Sequence, residues 1–381
     1  MLLILHREPL FRGTILVMSR IVIDARKLNT GAGRYTERLM HYLQKIDSKN
    51  TYLVLLKQKD YMGWQPSAAN FEKVLCTAKE FTWAEQTELK RQIKQLKPDL
   101  VHFAMVQQPI FYRGKVVTTM HDLTTARFRN PSKNPAVFWF KQQVYKFVNW
   151  RVAHKSKFII TPTNFVKKDV ASYAHITSKK IFVTYESADE ITDPIEPIKK
   201  LQGKPFLFYV GRPQPHKNLG RLIESFAQLK QDHPDLLLVL AGRKDELYDR
   251  FVKKATSLGV SDSVVFTGFV SEGQLKWLYK GCRAYVFPSL SEGFGLPGLE
   301  AMKHDAPVVS SNATCLPEVY GKAAYYFNPL DVRDMTKSIN TVLTNHEIRG
   351  DLIKQGREQV KKYSWQKMAE ETLATYQKAL K

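Results

Sequence analysis

The sequence has too few cysteines, spaced too far apart, for a disulfide framework or a thiolate metal site. Only Cys76, Cys282 and Cys315 occur in 381 residues, and an odd, scattered set of this kind predicts neither a pairing nor a zinc cluster. Free thiols are typical of a reducing compartment. The sequence therefore favours the cytoplasm.

Long apolar runs are missing as well. No window approaches the roughly twenty uncharged apolar residues that a membrane-spanning helix needs. Residues 1–17 are mildly apolar, but Arg7, Glu8 and Arg12 interrupt them and no small-residue cleavage site follows, so a signal peptide is not predicted. We expect Met18 to be the natural start and residues 1–17 to be a disordered extension.

Acidic residues are scarce relative to basic ones. The chain carries 58 Lys and Arg against 36 Asp and Glu, a net charge of +22, and residues 1–190 hold 31 basic against 15 acidic residues. Such a balance favours an anionic partner for the first half: phospholipid head groups, a phosphorylated acceptor or nucleic acid. The alternative explains the charge equally well: many of the lysines simply keep exposed helix faces in contact with water. Nucleic-acid binding is disfavoured because no recognised nucleic-acid motif accompanies the charge.

Short apolar runs alternate with helical stretches along the chain, which predicts an α/β fold with parallel sheets wound on both faces. Eleven candidate strands are too many for one Rossmann-like sheet, so we expect two such domains. A stretch rich in proline and charge, 188–204, is typical of a linker between them. The candidate strands are 20–24, 51–56, 100–104, 115–120, 157–161, 181–184, 206–210, 236–241, 263–267, 284–287 and 307–310.

The most informative segment is 291–302, which follows an apolar strand. Gly293 and Gly295 allow the backbone to approach a ligand and expose its N–H groups, and Pro297 suits the first turn of a helix. The segment therefore offers N–H donors and a helix N-terminus to phosphate or sugar oxygens. Glu292, before the helix, and Glu300, about one turn inside it, are expected to accept hydrogen bonds from polyol hydroxyls.

Three further features lie at predicted strand ends. Arg212 and Lys217 follow the strand 206–210 and suit a diphosphate, since fixed positive charge stabilises a departing anion. The segment 24–35 has the glycines of a dinucleotide fingerprint but lacks the third one, and is a poor Rossmann signal. His121, with Asp122, ends another strand at the carboxyl edge where open α/β sheets bind ligands.

Taken in order, these residues resemble family four of the retaining glycosyltransferases, from about residue 20 to the end of the chain. The motifs that carry the resemblance are Gly31-Ala32-Gly33-Arg34-Tyr35, His121-Asp122, Gly211-Arg212 with Lys217-Asn218, the pair Glu292 and Glu300, Phe266-Thr267-Gly268-Phe269-Val270, Leu316-Pro317-Glu318-Val319 and Ser364-Trp365.

The resemblance implies a GT-B fold, in which two Rossmann-like doubly wound parallel-sheet domains face a cleft. Residues 1–190 would form the acceptor-binding domain and residues 200–365 the nucleotide-sugar-binding domain. The last helix, 366–381, would pack back on the first domain.

Site roles also follow from the resemblance. Arg212 and Lys217 would hold the donor diphosphate, and Glu300 the ribose hydroxyls. Gly31 and Gly33 would let their loop approach the diphosphate. On the sugar side, Glu292 and the backbone of Phe294, Gly295 and Leu296 would hold the transferred sugar, His121 would contact it near the reacting carbon, and Phe269 and Val270 would lie beside the base. His121, Glu292, Arg212 and Lys217 are the expected catalytic set.

The implied reaction moves a hexose from a nucleotide sugar to a hydroxyl of a glycan or lipid-linked acceptor, with retention. Relatives with this Gly-x-Gly-Arg-Tyr opening resemble bacterial surface-polysaccharide mannosyltransferases, which favours GDP-mannose. UDP-glucose, UDP-galactose or an N-acetylated relative stays open, and the same fold serves phosphorylases and epimerases. Two departures bear on the base: 241–244 lacks a second glycine, and 303–305 reads Lys-His-Asp where Ala-Cys-Gly is common.

No metal or other cofactor is expected. No Asp-x-Asp triplet occurs in the chain, so the usual carboxylate pair that holds a divalent ion on a diphosphate is missing. Arg212 and Lys217 would supply the positive charge instead.

The segment 133–157 interleaves aromatic residues with lysine and arginine, a composition that suits contact with anionic lipid head groups. Peripheral contact with the inner face of the membrane, through the basic first half of the chain, is one expectation. In the alternative, this helix buries one apolar face through Val144, Phe147 and Val148.

Overall fold

The computed structural model describes residues 18–28, 31–80, 82–128, 134–244 and 247–381. The predicted disordered extension at 1–17 lies outside these residues.

Two sheets, each made entirely of parallel strands, form the framework. The first has seven strands in the order β3-β2-β1-β4-β5-β6-β7. Its strands are β1 (Arg20–Asp24), β2 (Thr51–Leu56), β3 (Phe71–Leu75), β4 (Leu100–Phe103), β5 (Val116–Thr119), β6 (Phe158–Thr161) and β7 (Ile181–Val183).

The second sheet has six strands in the order β10-β9-β8-β11-β12-β13. Its strands are β8 (Phe206–Val210), β9 (Leu237–Ala241), β10 (Val264–Gly268), β11 (Ala284–Phe287), β12 (Val308–Ser311) and β13 (Ala324–Phe327). Two doubly wound parallel sheets confirm the predicted fold class.

Helices cover the faces of both sheets, as parallel strands require crossover connections. In the described residues they are α1 (Gly31–Ile46), α2 (Gln58–Gly63), α3 (Lys90–Gln95), α4 (Thr124–Arg127), α5 (Pro135–Lys155), α6 (Asn164–Ala174), α7 (Leu219–Asp232), α8 (Tyr248–Ser257), α9 (Glu272–Gly281), α10 (Leu296–Lys303), α11 (Leu316–Tyr320), α12 (Val332–Thr344), α13 (His346–Val360) and α14 (Trp365–Leu380).

The central strands are continuous apolar runs because both of their faces are covered. In β9 all five residues are buried, and in β2 five of six. The prediction missed β3 and β13, which are the outermost strands of their sheets. An edge strand is covered on fewer sides, and β3 accordingly carries the charged residues Glu72 and Lys73 within its run.

Helix α14 lies against the first sheet although it follows the second domain in the chain. Ser364 caps it by accepting a hydrogen bond from the Lys367 amide. Its residues Met368 and Tyr376 are fully buried in one cluster with Ile21 and Leu39, and the Tyr376 hydroxyl lies 2.5 Å from His102 Nδ1. The last described helix therefore completes the core of the first domain.

Candidate active site

Lys217 and Glu292 meet above the point where the strand order of the second sheet reverses. Lys217 follows β8 and Glu292 follows β11, which are neighbours in the sheet, whereas the strand after β8 in the chain lies on its other side. Lys217 Nζ donates to Glu292 Oε1 at 2.6 Å, and both side chains are largely buried. Open α/β sheets bind ligands at such a reversal.

Close backbone packing shapes the loop that carries Lys217. A Cβ on Gly242 would lie 2.1 Å from the carbonyl oxygen of Gly211, so these two strand ends come together only with glycine at 242. Asn218 then takes a left-handed conformation, with φ 61°, and its buried amide donates to the carbonyls of Pro288 and Pro329 at 3.1 and 2.7 Å. These bonds tie the lysine loop to the glutamate loop.

The glutamate loop ends in the helix predicted from the sequence. Gly295 has φ 91° at the start of α10, and Pro297 lies in the first turn. The Tyr320 hydroxyl donates to the Gly295 carbonyl at 2.5 Å. Upstream, the Glu292 amide donates to Thr314 Oγ1 at 3.1 Å. The loop is thereby fixed at both ends, which orients the Glu292 carboxylate.

Glu300 faces the other domain. Arg34, in the first turn of α1, donates from Nη1 to Glu300 Oε1, while the Tyr279 hydroxyl donates to Oε2 at 3.2 Å. Burial and the charge of Glu300 raise the pKa of the Tyr279 phenol far above its usual range, so this group stays a donor. The carboxylate predicted to bind ribose is therefore already engaged by a cation from across the cleft.

His121 lies on the opposite wall, between two acceptors. Its Nδ1 is 3.2 Å from Glu186 Oε1 and its Nε2 is 3.1 Å from the Ala104 carbonyl. Burial lowers the pKa of His121, but the hydrogen bond and charge of Glu186 outweigh burial and the net shift is upward. Because both neighbours accept, protonation allows the ring to donate from both nitrogens.

The two walls touch directly at Gly293. A Cβ there would lie 2.0 Å from the carbonyl oxygen of His121, and the Gly293 carbonyl accepts from Thr163 Oγ1 at 3.1 Å. Close by, the hydroxyls of Thr124 and Ser291 lie 2.9 Å apart. Glycine is required at 293 because the domains approach to backbone contact.

A second link between the domains lies at helix α6. The Glu318 carboxylate, from α11 of the second domain, accepts from the amides of Asn164 and Phe165 at 2.7 and 2.8 Å and from the Tyr185 hydroxyl at 2.8 Å. A carboxylate at a helix N-terminus satisfies free N–H groups and complements the helix dipole. Glu318 thereby fixes the orientation of one domain on the other.

The remaining predicted site residues lie in different surroundings from one another. Leu296 contacts the cores of both domains, whereas the Phe294 ring packs against Tyr363 at 5.5 Å between centroids. Arg212 is exposed at the start of its loop. Gly31 begins α1. A Cβ on Gly33 would lie 1.7 Å from the Leu28 carbonyl oxygen, so close packing within its own loop already requires glycine at 33.

Phe269 is 87% exposed and Val270 half-buried. The cavity at the ends of β8 and β9 is lined instead by Tyr209, Gly242, Tyr248 and Phe266 among others. The Tyr248 and Phe266 rings meet edge to face, with centroids 4.9 Å apart. These aromatic walls suit a flat base.

A smaller cavity opens at the reversal point of the first sheet, between β1 and β4. Arg26, fully buried there, forms a two-pronged pair with Asp24 at 2.8 and 2.7 Å and also donates to Glu85 at 3.0 Å. Its Nη1 and the Gln107 Oε1 have no hydrogen-bond partner within the described structure. This edge of the first domain therefore offers one polar donor and one acceptor.

No role is predicted from the sequence for Arg34, Glu186 or Glu318. Arg34 and Glu318 lie inside motifs that carry the resemblance, but those motifs do not indicate which residues the two side chains contact. Glu186 had no local pattern at all. Each acts on a residue far away in the chain, which sequence spacing does not reveal.

None of the helices that the structure describes is both long and apolar enough to cross a bilayer. Within the same residues, no three His, Cys, Asp or Glu side chains are grouped as a metal site would need.

Two protein-family models match the chain. The model described as Glycosyltransferase Family 4 matches residues 30–190, and that described as Glycosyl transferases group 1 matches residues 191–359. Together they cover residues 30–359, which include the cleft residues and every strand of the two sheets except β1.

Similar proteins agree with these matches. The serotype-specific mannosyltransferase WbdA of Escherichia coli is 35% identical over 213 residues, 52% of this chain but 26% of WbdA, so the chain spans about a quarter of that relative. The O-antigen chain mannosyltransferase B of Escherichia coli is 28% identical over 276 residues, 69% of this chain and 70% of the relative.

A sucrose-phosphate synthase from Thermosynechococcus elongatus has the same fold. Its structure superposes with a TM-score of 0.74 over 94% of this chain and 98% of its own, at 17% sequence identity. With two matching family models, two parallel sheets and a shared cleft, the chain belongs to glycosyltransferase family four and has the GT-B fold.

Proposed function

We propose that this protein transfers a hexose from a nucleotide sugar to a hydroxyl of a glycan or lipid-linked acceptor, with retention and without a metal ion. The observation that carries the proposal is the 2.6 Å pair of Lys217 and Glu292 above the strand reversal. A cation for a diphosphate and a carboxylate for sugar hydroxyls are needed side by side only where the sugar joins the diphosphate.

The pair exchanges partners when the donor binds. Lys217 turns its hydrogen bonds to the diphosphate, where negative charge grows as the glycosidic bond breaks. Glu292, released, accepts from hydroxyls of the sugar. Arg212, exposed at the mouth of the same loop, adds a second fixed charge. Two cations in place of a metal support the metal-free form of the reaction.

Retention places the acceptor hydroxyl on the face that the nucleotide leaves. The departing phosphate oxygen takes the proton of that hydroxyl, and the developing oxocarbenium ion is stabilised by surrounding dipoles. Glu292 acts as a sugar-positioning carboxylate, not as a nucleophile. His121, held against Gly293 on the opposite wall, contacts the sugar near the reacting carbon.

The rest of the donor extends toward the second domain. Glu300 accepts from the ribose hydroxyls in place of Arg34, and the backbone amides at Phe294, Gly295 and Leu296 face the sugar. The aromatic cavity of Tyr248 and Phe266 is the favoured place for the base, while exposed Phe269 and half-buried Val270 close over it.

GDP-mannose is the favoured donor, because two similar proteins are named mannosyltransferases. A UDP-linked glucose, galactose or N-acetylhexosamine is the alternative. The acceptor hydroxyl enters from the first domain, where Arg26 and Gln107 line the cavity at the strand reversal. The protein works in the cytoplasm, where free thiols persist.

One screen tests this proposal. The purified protein is heated with GDP, UDP, GDP-mannose and UDP-glucose in turn, and a ligand at about a hundred times its Kd stabilises the fold by about 2.7 kcal/mol. Sugar transfer to added glycans is then measured with the stabilising donor, with and without EDTA. GDP-mannose is expected to stabilise most and transfer to survive chelation.

Other results would overturn parts of the proposal. Stabilisation by UDP-glucose alone would replace the donor, and loss of all transfer in EDTA would end the metal-free claim. Sugar release to free phosphate, or epimerisation of the donor without an acceptor, would replace the reaction itself.

A further inference from the structure

Helix α5 presents an apolar face to solvent. Val137, Phe140, Val144 and Phe147 follow one another at intervals of three and four residues, so they form one stripe along the helix. They are 52%, 64%, 46% and 52% exposed. We call this stripe, with its neighbours Trp139 and Trp150, the α5 apolar face.

The helix is anchored by its other side. Asn149, Val152 and Ala153 are fully buried, and the Tyr173 hydroxyl of α6 donates to the Lys146 carbonyl at 2.8 Å. The sequence-based alternative, in which Val144, Phe147 and Val148 bury against the domain, is wrong for Val144 and Phe147, which are exposed, whereas Val148 is half-buried. Six of the fifteen large exposed apolar side chains in the described residues lie on this one helix, so the exposure is concentrated, not scattered.

The charged residues of α5 and of the chain segments on either side of it are all positive. Residues 123–168 contain ten Lys and Arg and no Asp or Glu. By helical spacing of about 100° per residue, Lys141 borders the α5 apolar face beside the stripe and Lys146 borders it beside the two tryptophans, and Arg151 continues the stripe toward the helix end. A second copy of this chain seated on the face would bring like charges together, which disfavours a symmetric dimer here.

The face also lies beside the cleft. Gln142 of α5 donates to the Thr125 carbonyl of α4 at 3.3 Å, and Thr124, the first residue of α4, contacts Ser291 across the cleft at 2.9 Å. Phe128, just after α4, has its ring 5.9 Å from that of His216 on the lysine loop. A partner held on α5 is therefore near the entrance to the active site.

We propose that the α5 apolar face inserts into the head-group layer of an anionic membrane, with α5 lying in the plane of the surface. Aromatic rings suit the boundary between head groups and acyl chains, and bordering lysines place their charges among anionic head groups. The inference deepens the proposed function by bringing the cleft to a lipid-linked acceptor, but the binding itself involves neither donor nor acceptor.

Vesicle sedimentation of the full chain tests the proposal. The wild type is expected to sediment with phosphatidylglycerol–phosphatidylcholine vesicles at low salt and to be released as salt screens the charges. Phe140→Ser with Phe147→Ser keeps every charge. It is expected to lower the partition coefficient by at least about tenfold, because two aromatic side chains are no longer transferred from water into the membrane. Lys141→Gln with Lys146→Gln keeps the apolar stripe and is expected to lower the partition coefficient by about thirtyfold on anionic vesicles.

The matched control is Trp83→Ala, which removes another exposed tryptophan of the same domain, one that is 81% exposed and not part of α5. It is expected to leave binding unchanged. Unchanged thermal stability of all variants shows that the fold is intact. Equal binding by wild type and the Phe140/Phe147 variant, or a dimer in solution that this variant makes monomeric while vesicles are not bound, would overturn the proposal. Donor binding measured without vesicles is unaffected in either case, so the transferase proposal is judged separately.

Discussion

Arg34 on α1 donates from Nη1 to Oε1 of Glu300 on α10, so the first helix of one domain is ion-paired to the nucleotide-side helix of the other. The Arg34 side chain is partly exposed and that of Glu300 is largely buried. The pair therefore joins the domains through the same oxygen that the proposed ribose contact uses.

Arg34→Ala separates the two roles of Glu300. Free nucleotide is expected to bind about fivefold more tightly, because ribose no longer has to displace a part-exposed ion pair worth about 1 kcal/mol. The value of kcat/KM is not expected to fall, because the pair is already broken when the donor is bound. Calorimetry and steady-state kinetics measure both. The control is Arg38→Ala on the same helix, which breaks a 2.9 Å pair with Asp189. Weaker nucleotide binding by Arg34→Ala would mean that Arg34 itself holds the donor.

Lys217→Ala removes the cation beside the bond that breaks. We expect kcat/KM to fall by about two to three orders of magnitude, the range for one lost charge-stabilising donor, with the fold intact by circular dichroism. Lys217→Arg keeps the charge and is expected to retain more activity than the alanine variant. Near-normal transfer by Lys217→Ala would remove this residue from the reaction.

Substitution of Glu300 and substitution of Glu292 are expected to impair different steps. Glu300→Ala weakens free nucleotide and nucleotide sugar alike, because the ribose contact is common to both. Glu292→Ala leaves Lys217 without its 2.6 Å partner and free for the diphosphate, so nucleotide affinity is kept or improved while turnover drops. Calorimetry with each ligand separates the roles. Equal losses of nucleotide affinity in both variants contradict the assignment.

Gly293→Ala tests the contact between the walls of the cleft. The new Cβ would lie 2.0 Å from the His121 carbonyl oxygen, so the domains must move apart. Transfer is expected to fall by about two orders of magnitude, since small misplacements of reacting groups are costly, while nucleotide still binds. Gly220→Ala is the control: its Cβ meets nothing within 4 Å in the first turn of α7, and the change is expected to stabilise the helix by at most about 1 kcal/mol. Full activity of Gly293→Ala would show that the cleft works without this contact.

His121 is expected to stay charged above its ordinary pKa, because Glu186 raises the pKa of this ring. Its contribution to stability is then complete below pH 6.5, the unfolded value, and is lost as pH rises through the higher folded pKa. Glu186→Gln should lower the pKa of His121 and remove this dependence. Histidine NMR titration measures it, with buried His102 as an internal reference, since burial lowers its pKa to about 3. An unchanged pKa in Glu186→Gln would contradict the pairing.

The sequence predicted the parts of the fold that depend on local pattern. The buried strands β8 and β9, the turn into α10 at Pro297 and the capped start of α14 at Ser364 are all encoded by neighbouring residues. The edge strand β3 was missed because partial exposure admits Glu72 and Lys73, which weaken the apolar run, whereas β13 is an apolar run of only four residues.

Contacts between domains could not be predicted in this way. Arg34 and Glu300 are 266 residues apart in the chain, and the need for glycine at 293 arises from the carbonyl of His121, not from a turn. The burial of α5 depended on which side of the helix meets the domain, and an apolar helix without a polar face gives no preference.

Helix α14 sets an order of events during synthesis. Tyr376 and Met368 complete a core that begins at Ile21, yet they are translated only after the whole second domain. Ribosomes add about 5–20 residues per second, so one side of the first sheet stays exposed while the second domain is synthesised. The core of that later domain is formed by contiguous sequence, so it is free to fold before α14 is made. The half of the molecule that is made first is the half that is finished last.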